Sequence, residues 1–173
     1  MKLLITGGCG FIGTNLIHNL LNKHPDWQVT NLDNLSYAAN PRNLVDLKNN
    51  TRYRLIAGSI ADPKTVLAAL RGCDTVIQLA AETHVDRSIV DPLPFVHTNT
   101  LGTQVLLNCA RQASISRFVH VSTDEVYGAL QEDDPPFTEE TPLAPRSPYA
   151  ASKAAADLVV LASYETYRMP VMI

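Results

Sequence analysis

Tyr149 and Lys153 stand four residues apart in Ser147-Pro148-Tyr149-Ala150-Ala151-Ser152-Lys153. On a helix, that spacing puts both side chains on one face. Ser147 suits an N-cap, and Pro148 suits the first helical position. An ammonium beside a phenol stabilises phenolate, so the spacing predicts a Tyr149 pKa lowered from about 10 toward neutrality. Such a tyrosine can accept a hydroxyl proton while hydride leaves for a nicotinamide. Taken alone, the pair reads better as a solvated helix face.

A second group, Thr123-Asp124-Glu125, follows the apolar run Arg117–Val121. If that run is a strand of a parallel sheet, the group lies at the carboxyl edge, where ligands bind. Adjacent carboxylates are costly in a packed core unless they are paired or functional. The plainer alternative is a capped turn. Leu79-Ala80-Ala81-Glu82-Thr83-His84 follows another apolar run and shares that edge. Its two alanines would let a ligand lie against the backbone. His84 reads as a structural hydrogen-bonder rather than a base.

The third group is Gly7-Gly8-Cys9-Gly10-Phe11-Ile12-Gly13, placed between a strand pattern and a helix pattern. Gly7 and Gly10 allow a tight turn and a close approach by a pyrophosphate, and Gly13 lets the helix pack closely on the sheet. The helix start then offers free N–H groups and a partial positive charge. Asp33 lies twenty residues after Gly13, at the end of the next strand pattern. A carboxylate there accepts hydrogen bonds from ribose hydroxyls and repels the extra phosphate of NADP. The nearest arginine is Arg42, so NAD is the expected cofactor.

These groups need a frame. Strand patterns fall at Leu3–Thr6, Gln28–Leu32, Tyr53–Ala57, Thr75–Leu79, Arg117–Val121 and Val171–Ile173. Helical periods cover Phe11–Asn22, Pro63–Leu70, Pro94–Gln112 and Pro148–Tyr167, with Ile12, Leu16, Leu20 and Leu21 on one face of the first. Strands apolar throughout are buried on both sides. Strict alternation of strand and helix predicts an α/β, doubly wound parallel-sheet Rossmann fold. Asn34–Asn43 and the proline-rich Leu130–Ser147 read as loops, the second as a binding loop. The last strand pattern runs into Ile173, so the sequence reads as a fragment holding one NAD-binding domain over 1–173.

The 173 residues are 46% hydrophobic and carry a formal net charge of −3, enough for one real core. Nothing in that balance points to nucleic acid or an acidic membrane. Cys9, Cys73 and Cys109 lack paired spacing, which argues against disulfides and zinc and for a reducing, cytoplasmic setting. The apolar N-terminal run is too short to span a membrane.

Together these motifs resemble the extended short-chain dehydrogenase/reductase family. Ala80-Ala81-Glu82-Thr83-His84-Val85-Asp86-Arg87-Ser88, Asp33-Asn34-Leu35-Ser36-Tyr37-Ala38 and Thr123-Asp124-Glu125 narrow the likeness to the nucleotide-sugar 4,6-dehydratases. The resemblance covers the whole chain, as the N-terminal half of such an enzyme. It implies an NAD-dependent lyase of deoxysugar biosynthesis, with dTDP-glucose as the substrate. It makes Tyr149 the base for the sugar 4-hydroxyl, tuned by Lys153, and sets Thr123 on the 4-oxygen. Glu125 becomes the base at carbon 5 and Asp124 the acid for the departing 6-hydroxyl.

Cofactor contacts carry over to Gly7, Gly10, Phe11, Ile12, Gly13, Asp33, Asn34, Leu35, Ser36, Ser59, Ile60, Leu79, Ala80, Ala81, Thr83, Thr98, Tyr149 and Lys153. Thr83 and Thr123 also match substrate contacts. Gly58-Ser59-Ile60 departs from the family's usual Gly-Asp-Ile, and Ala39 replaces a usual glycine. Family members run on for about the same length again and are typically homodimers, paired through Pro94–Gln112 and Pro148–Tyr167. The 173 residues alone are therefore expected to bind NAD weakly or in part, with little turnover. Two other readings stay open: an epimerase or decarboxylase on the same scaffold, and a non-catalytic NAD-binding module.

Overall fold

The computed structural model describes residues 1–173. Six strands form one parallel sheet: β1 (Lys2–Thr6), β2 (Gln28–Asp33), β3 (Tyr53–Ala57), β4 (Thr75–Gln78), β5 (Arg117–His120) and β6 (Val171–Met172). Their order is β3-β2-β1-β4-β5-β6. The chain therefore steps outward from β1 in one direction, returns, and steps outward in the other. β1 and β4 pair at the centre, the connections after them lead in opposite directions, and the crevice beyond their carboxyl ends is where such sheets take ligands.

Helices cover both faces: α1 (Phe11–Lys23), α2 (Pro63–Leu70), α3 (Val85–Val90), α4 (Leu93–Phe95), α5 (Thr103–Gln112) and α6 (Pro148–Tyr167). One apolar core gathers Leu4, Val76 and Phe118 from the sheet with Leu106, Leu107 and Val160 from α5 and α6. The other sets Leu3, Ile5 and Val29 against Ile17 and Leu21 of α1.

Several expectations are corrected. The buried face of α1 is Gly13, Thr14, Ile17 and Leu21, whereas Ile12 is 61% exposed. Gly13 and Thr14 must face the sheet because the glycine turn brings α1 in almost touching, and that rotates Ile12 outward. β3 is not buried on both sides: it is an edge strand with Leu55 exposed. The single helix expected over Pro94–Gln112 is present as one continuous rod, but it is not regular: a π-helical stretch at Val96–Gly102 lies between α4 and α5. α3 escapes a periodicity reading because it has six residues. The loop expected at Asn34–Asn43 turns into a 3-10 helix at Pro41–Leu47, started by the Asn40 side chain accepting from Arg42 N–H.

Candidate active site and dinucleotide cleft

Gly7 follows β1 with φ +69, a conformation that disfavours L side chains, and a Cβ there would lie 2.8 Å from Ala80 Cα. The turn thus presses against the residues after β4. Gly13 has no room either, since its Cβ would meet the Gly7 carbonyl oxygen at 2.4 Å. Gly10 differs: a Cβ there meets only that same oxygen, at 3.3 Å, and otherwise points into open space. It caps α1 without a side-chain hydrogen bond, so the first amides of the helix lack internal partners.

Asp33 is 5% exposed at the end of β2. Its Oδ2 accepts from Cys9 N–H and its Oδ1 from Leu35 N–H, both at 2.8 Å. Those bonds fix the carboxylate in plane beside the glycine turn. The Cys9 carbonyl in turn accepts from Asn40 N–H at 2.8 Å, pinning the following loop.

A cleft of about 500 Å³ opens there. Gly7, Gly10, Phe11, Ile12 and Gly13 line one end, with Asp33, Asn34, Ser36, Ser59 and Ile60 beside them. Leu79, Ala80, Ala81, Thr83 and Thr98 line the middle, and Thr123, Tyr149 and Lys153 the far end. Among the sequence-predicted cofactor residues, Leu35 stands apart: it does not line the cleft, and its backbone takes φ +54. Leu32, Ala38, Ala39, Gly58, Val121 and Ser122 also line it. Leu32, Gly58 and Ser122 each adjoin a site residue predicted from the sequence, whereas Ala38, Ala39 and Val121 stand two or three positions from one; motif matching gives no reason to extend the set that far. Amide donors at a helix start, small residues along a wall and a fixed carboxylate suit a dinucleotide.

At the far end, Ser147 Oγ accepts from Ala150 N–H at 3.0 Å, and Ser88 Oγ accepts from Tyr149 N–H at 3.1 Å. α6 thus starts from a doubly fixed end. Asn99 braces it further: its amide group donates to Ser152 Oγ at 2.9 Å and bonds Glu82 backbone on both sides. Lys153 Nζ donates to the Val121 carbonyl at 2.6 Å. Burial pulls the Lys153 ammonium down to about 8, opposed by the negative charge of Asp157.

The expected lowering of Tyr149 is not what the surroundings produce. Burial pushes the phenol up, a hydrogen bond with Thr123 pulls it down, and the charges of Glu125 and Asp124 push it up again. The lysine reaches Val121 instead of acting on the phenol, so sharing a helix face did not suffice.

Thr123 caps a 3-10 turn, Asp124–Tyr127, with Oγ1 accepting from Glu125 N–H. Asp124 is exposed and Glu125 half-buried; neither lines the cleft, though both stand close enough to act on Tyr149. The loop read as a binding loop, 130–147, lines no part of the cleft. It is drawn toward the 3-10 turn by Ala144 N–H donating to Val126 O and by the contact of Phe137 with Tyr127. His84 is exposed and leans on the Tyr37 ring, which also carries the Arg87 guanidinium at 3.8 Å. The sequence did not single out Ser88 as a cap, Asn99, Ser122, His120 or Asp157. Of these, Asp157 left a trace, as an acid four residues after Lys153 on the same helix.

Sheet order, glycine turn and a tyrosine–lysine pair at one cleft define a dinucleotide-binding α/β protein of the extended short-chain dehydrogenase/reductase class. Residues 4–173 match the family GDP-mannose 4,6 dehydratase, and the chain belongs to that family. A dTDP-glucose 4,6-dehydratase of Actinoplanes sp. is 47% identical, over 100% of this chain and 55% of the relative. The crystal structure of DesIV, a dTDP-glucose 4,6-dehydratase from Streptomyces venezuelae with NAD and TYD bound, superposes with a TM-score of 0.94 at 48% identity. It covers 99% of this chain and 54% of that one. A UDP-glucose 4-epimerase of Thermus thermophilus in complex with NAD reaches 0.87 at 31% identity, covering 99% of this chain and 53% of that one. The chain spans about half the length of the curated relatives it matches.

Proposed function

We propose that this chain is the NAD-binding part of an enzyme that dehydrates a nucleotide-activated hexose, dTDP-glucose, to the 4-keto-6-deoxy sugar. The observation that carries this is the far end of the cleft, where Tyr149 and Lys153 meet Thr123 with Asp124 and Glu125 directly behind. The names of the relatives support the choice of substrate.

The glycine turn and the start of α1 hold the pyrophosphate, and Asp33 accepts from the adenosine ribose. Bound NAD supplies the chemistry of taking hydride from the sugar and returning it. Tyr149 removes the proton of the 4-hydroxyl, and Thr123 holds that oxygen. Lys153 supplies positive charge beside the ribose. A 4-keto group acidifies carbon 5, where Glu125 takes the proton, while Asp124 protonates the 6-oxygen as it departs. Elimination thus has one base and one acid, each contributing about 10²–10⁴-fold.

Three free cysteines support a cytoplasmic enzyme, and no helix is long and apolar enough to cross a membrane. Leu101, beside α5, and Leu158, Leu161 and Tyr164 on α6 are apolar yet exposed. Their exposure supports a homodimer paired through these helices, and a monomeric mass by light scattering would refute it.

The test is to incubate the chain with dTDP-glucose and NAD and follow the sugar by NMR. A 4-keto-6-deoxy product establishes substrate and reaction. A 4-epimer overturns the dehydratase reading. Glu125→Gln sharpens the test: it stops elimination and spares hydride removal, a split that an epimerase does not show.

A further inference from the structure

Lys153 is 5% exposed, and its ammonium reaches one protein acceptor, the Val121 carbonyl. A buried cation needs an opposite charge close by. One turn further along α6, Asp157 is also 5% exposed. Its Oδ2 accepts from Ser122 Oγ at 2.6 Å. Its Oδ1 faces His120 Nε2 at 3.4 Å, and neither atom has a hydrogen-bond partner, nor does His120 Nδ1. His120 is 1% exposed at the carboxyl end of β5.

We propose that Asp157 is a positioning residue that keeps Lys153 charged and directed into the cleft, with Ser122 and His120 fixing its carboxylate. Ser122 lines the cleft and ties one carboxylate oxygen to the sheet side. The imidazole packs against the other. Burial disfavours the imidazolium, and the Lys153 charge adds to that, while Asp157 opposes both. A neutral His120 leaves the aspartate charge to answer the lysine. The groups around Lys153 are then His120 and the Val121 carbonyl from β5 and its end, Asp157 and Tyr149 from α6, and Ser122 between them. Asp124 and Glu125 act on Tyr149. The importance of the charge for ribose binding rests on the function proposed above; the relation between the two buried side chains, one turn apart on α6 with no direct ion pair within 4 Å, does not.

The experiment follows the Lys153 side-chain nitrogen by NMR through a pH titration of the 173-residue chain, without dinucleotide. Asp157→Asn keeps the shape and removes the charge. The Lys153 midpoint, about 8 in the native chain, is expected to move down by about one pH unit or more. A purely structural role would leave it in place, and an unmoved midpoint overturns the proposal.

Should Asp157→Asn fold poorly, melting temperatures of Lys153→Met, Asp157→Asn and the double variant decide. The summed losses of the single variants should exceed the loss of the double; additive losses overturn the pairing. Failure of the native chain to bind NAD counts against the cofactor assignment alone, since neither measurement contains it.

Discussion

A methyl group on Gly13 would sit 2.4 Å from the carbonyl oxygen of Gly7. The two glycines face each other across the turn, so Gly13→Ala must push α1 and β1 apart. Stability should fall by about 1–3 kcal/mol, with NAD affinity down at least about tenfold because the amides are displaced. Denaturant unfolding and a fluorescence titration check this. Unchanged affinity would separate the turn from dinucleotide binding.

Asp33 offers the fixed carboxylate. Asp33→Ala removes hydrogen bonds to charge worth about 1.5–3 kcal/mol each. NAD affinity should drop by about one to two orders of magnitude, while NADP affinity drops less or rises. Measuring both dinucleotides on both proteins gives the ratio, and a constant ratio would remove Asp33 from the discrimination.

For Tyr149, the direction of the shift is testable. Burial and two carboxylates hold the phenol above its ordinary value in the free protein. A bound cationic nicotinamide opposes those carboxylates, so adding NAD should move the phenol down. Spectrophotometric titration, with Tyr149→Phe to identify the signal, reads the change. No movement on saturation would place the nicotinamide elsewhere.

His120 predicts an acid limb. Its folded pKa is depressed by burial, while the unfolded side chain titrates near about 6.5. Below that pH the unfolded chain binds a proton that the folded chain resists, so stability is lost as pH falls from about 7 to 5. His120→Gln should flatten this slope. Denaturation at several pH values supplies the comparison, and equal slopes would defeat the assignment.

Much of this was legible in the sequence, for reasons that differ by element. α2, β3 and α6 begin and end where Pro63, Pro148 and the flanking polar residues say they should, because caps and prolines are local signals. The glycine turn and Asp33 were readable because their spacing follows from one strand–helix–strand unit. The outward turn of Ile12 was not, since it depends on how closely α1 approaches the sheet. The Tyr149 shift was misjudged because burial and the Val121 carbonyl come from distant chain. The Ser122–Asp157 bond joins residues 35 positions apart, and only the folded sheet brings them together.

The π-helical stretch Val96–Gly102 acts as a change of phase. An α-helix turns about 100° per residue, so a wider turn rotates everything after it relative to what came before. Ahead of the shift, Phe95 meets the Tyr149 ring edge-on. Within it, Thr98 lines the cleft, Asn99 and Thr100 grip Ser152, and Gly102 leaves room for Ile60. After it, Leu106 and Leu107 enter the core. A regular helix of the same sequence would give up one of these partners to keep another; with the shift, one rod serves the cleft, the neighbouring helix and the core.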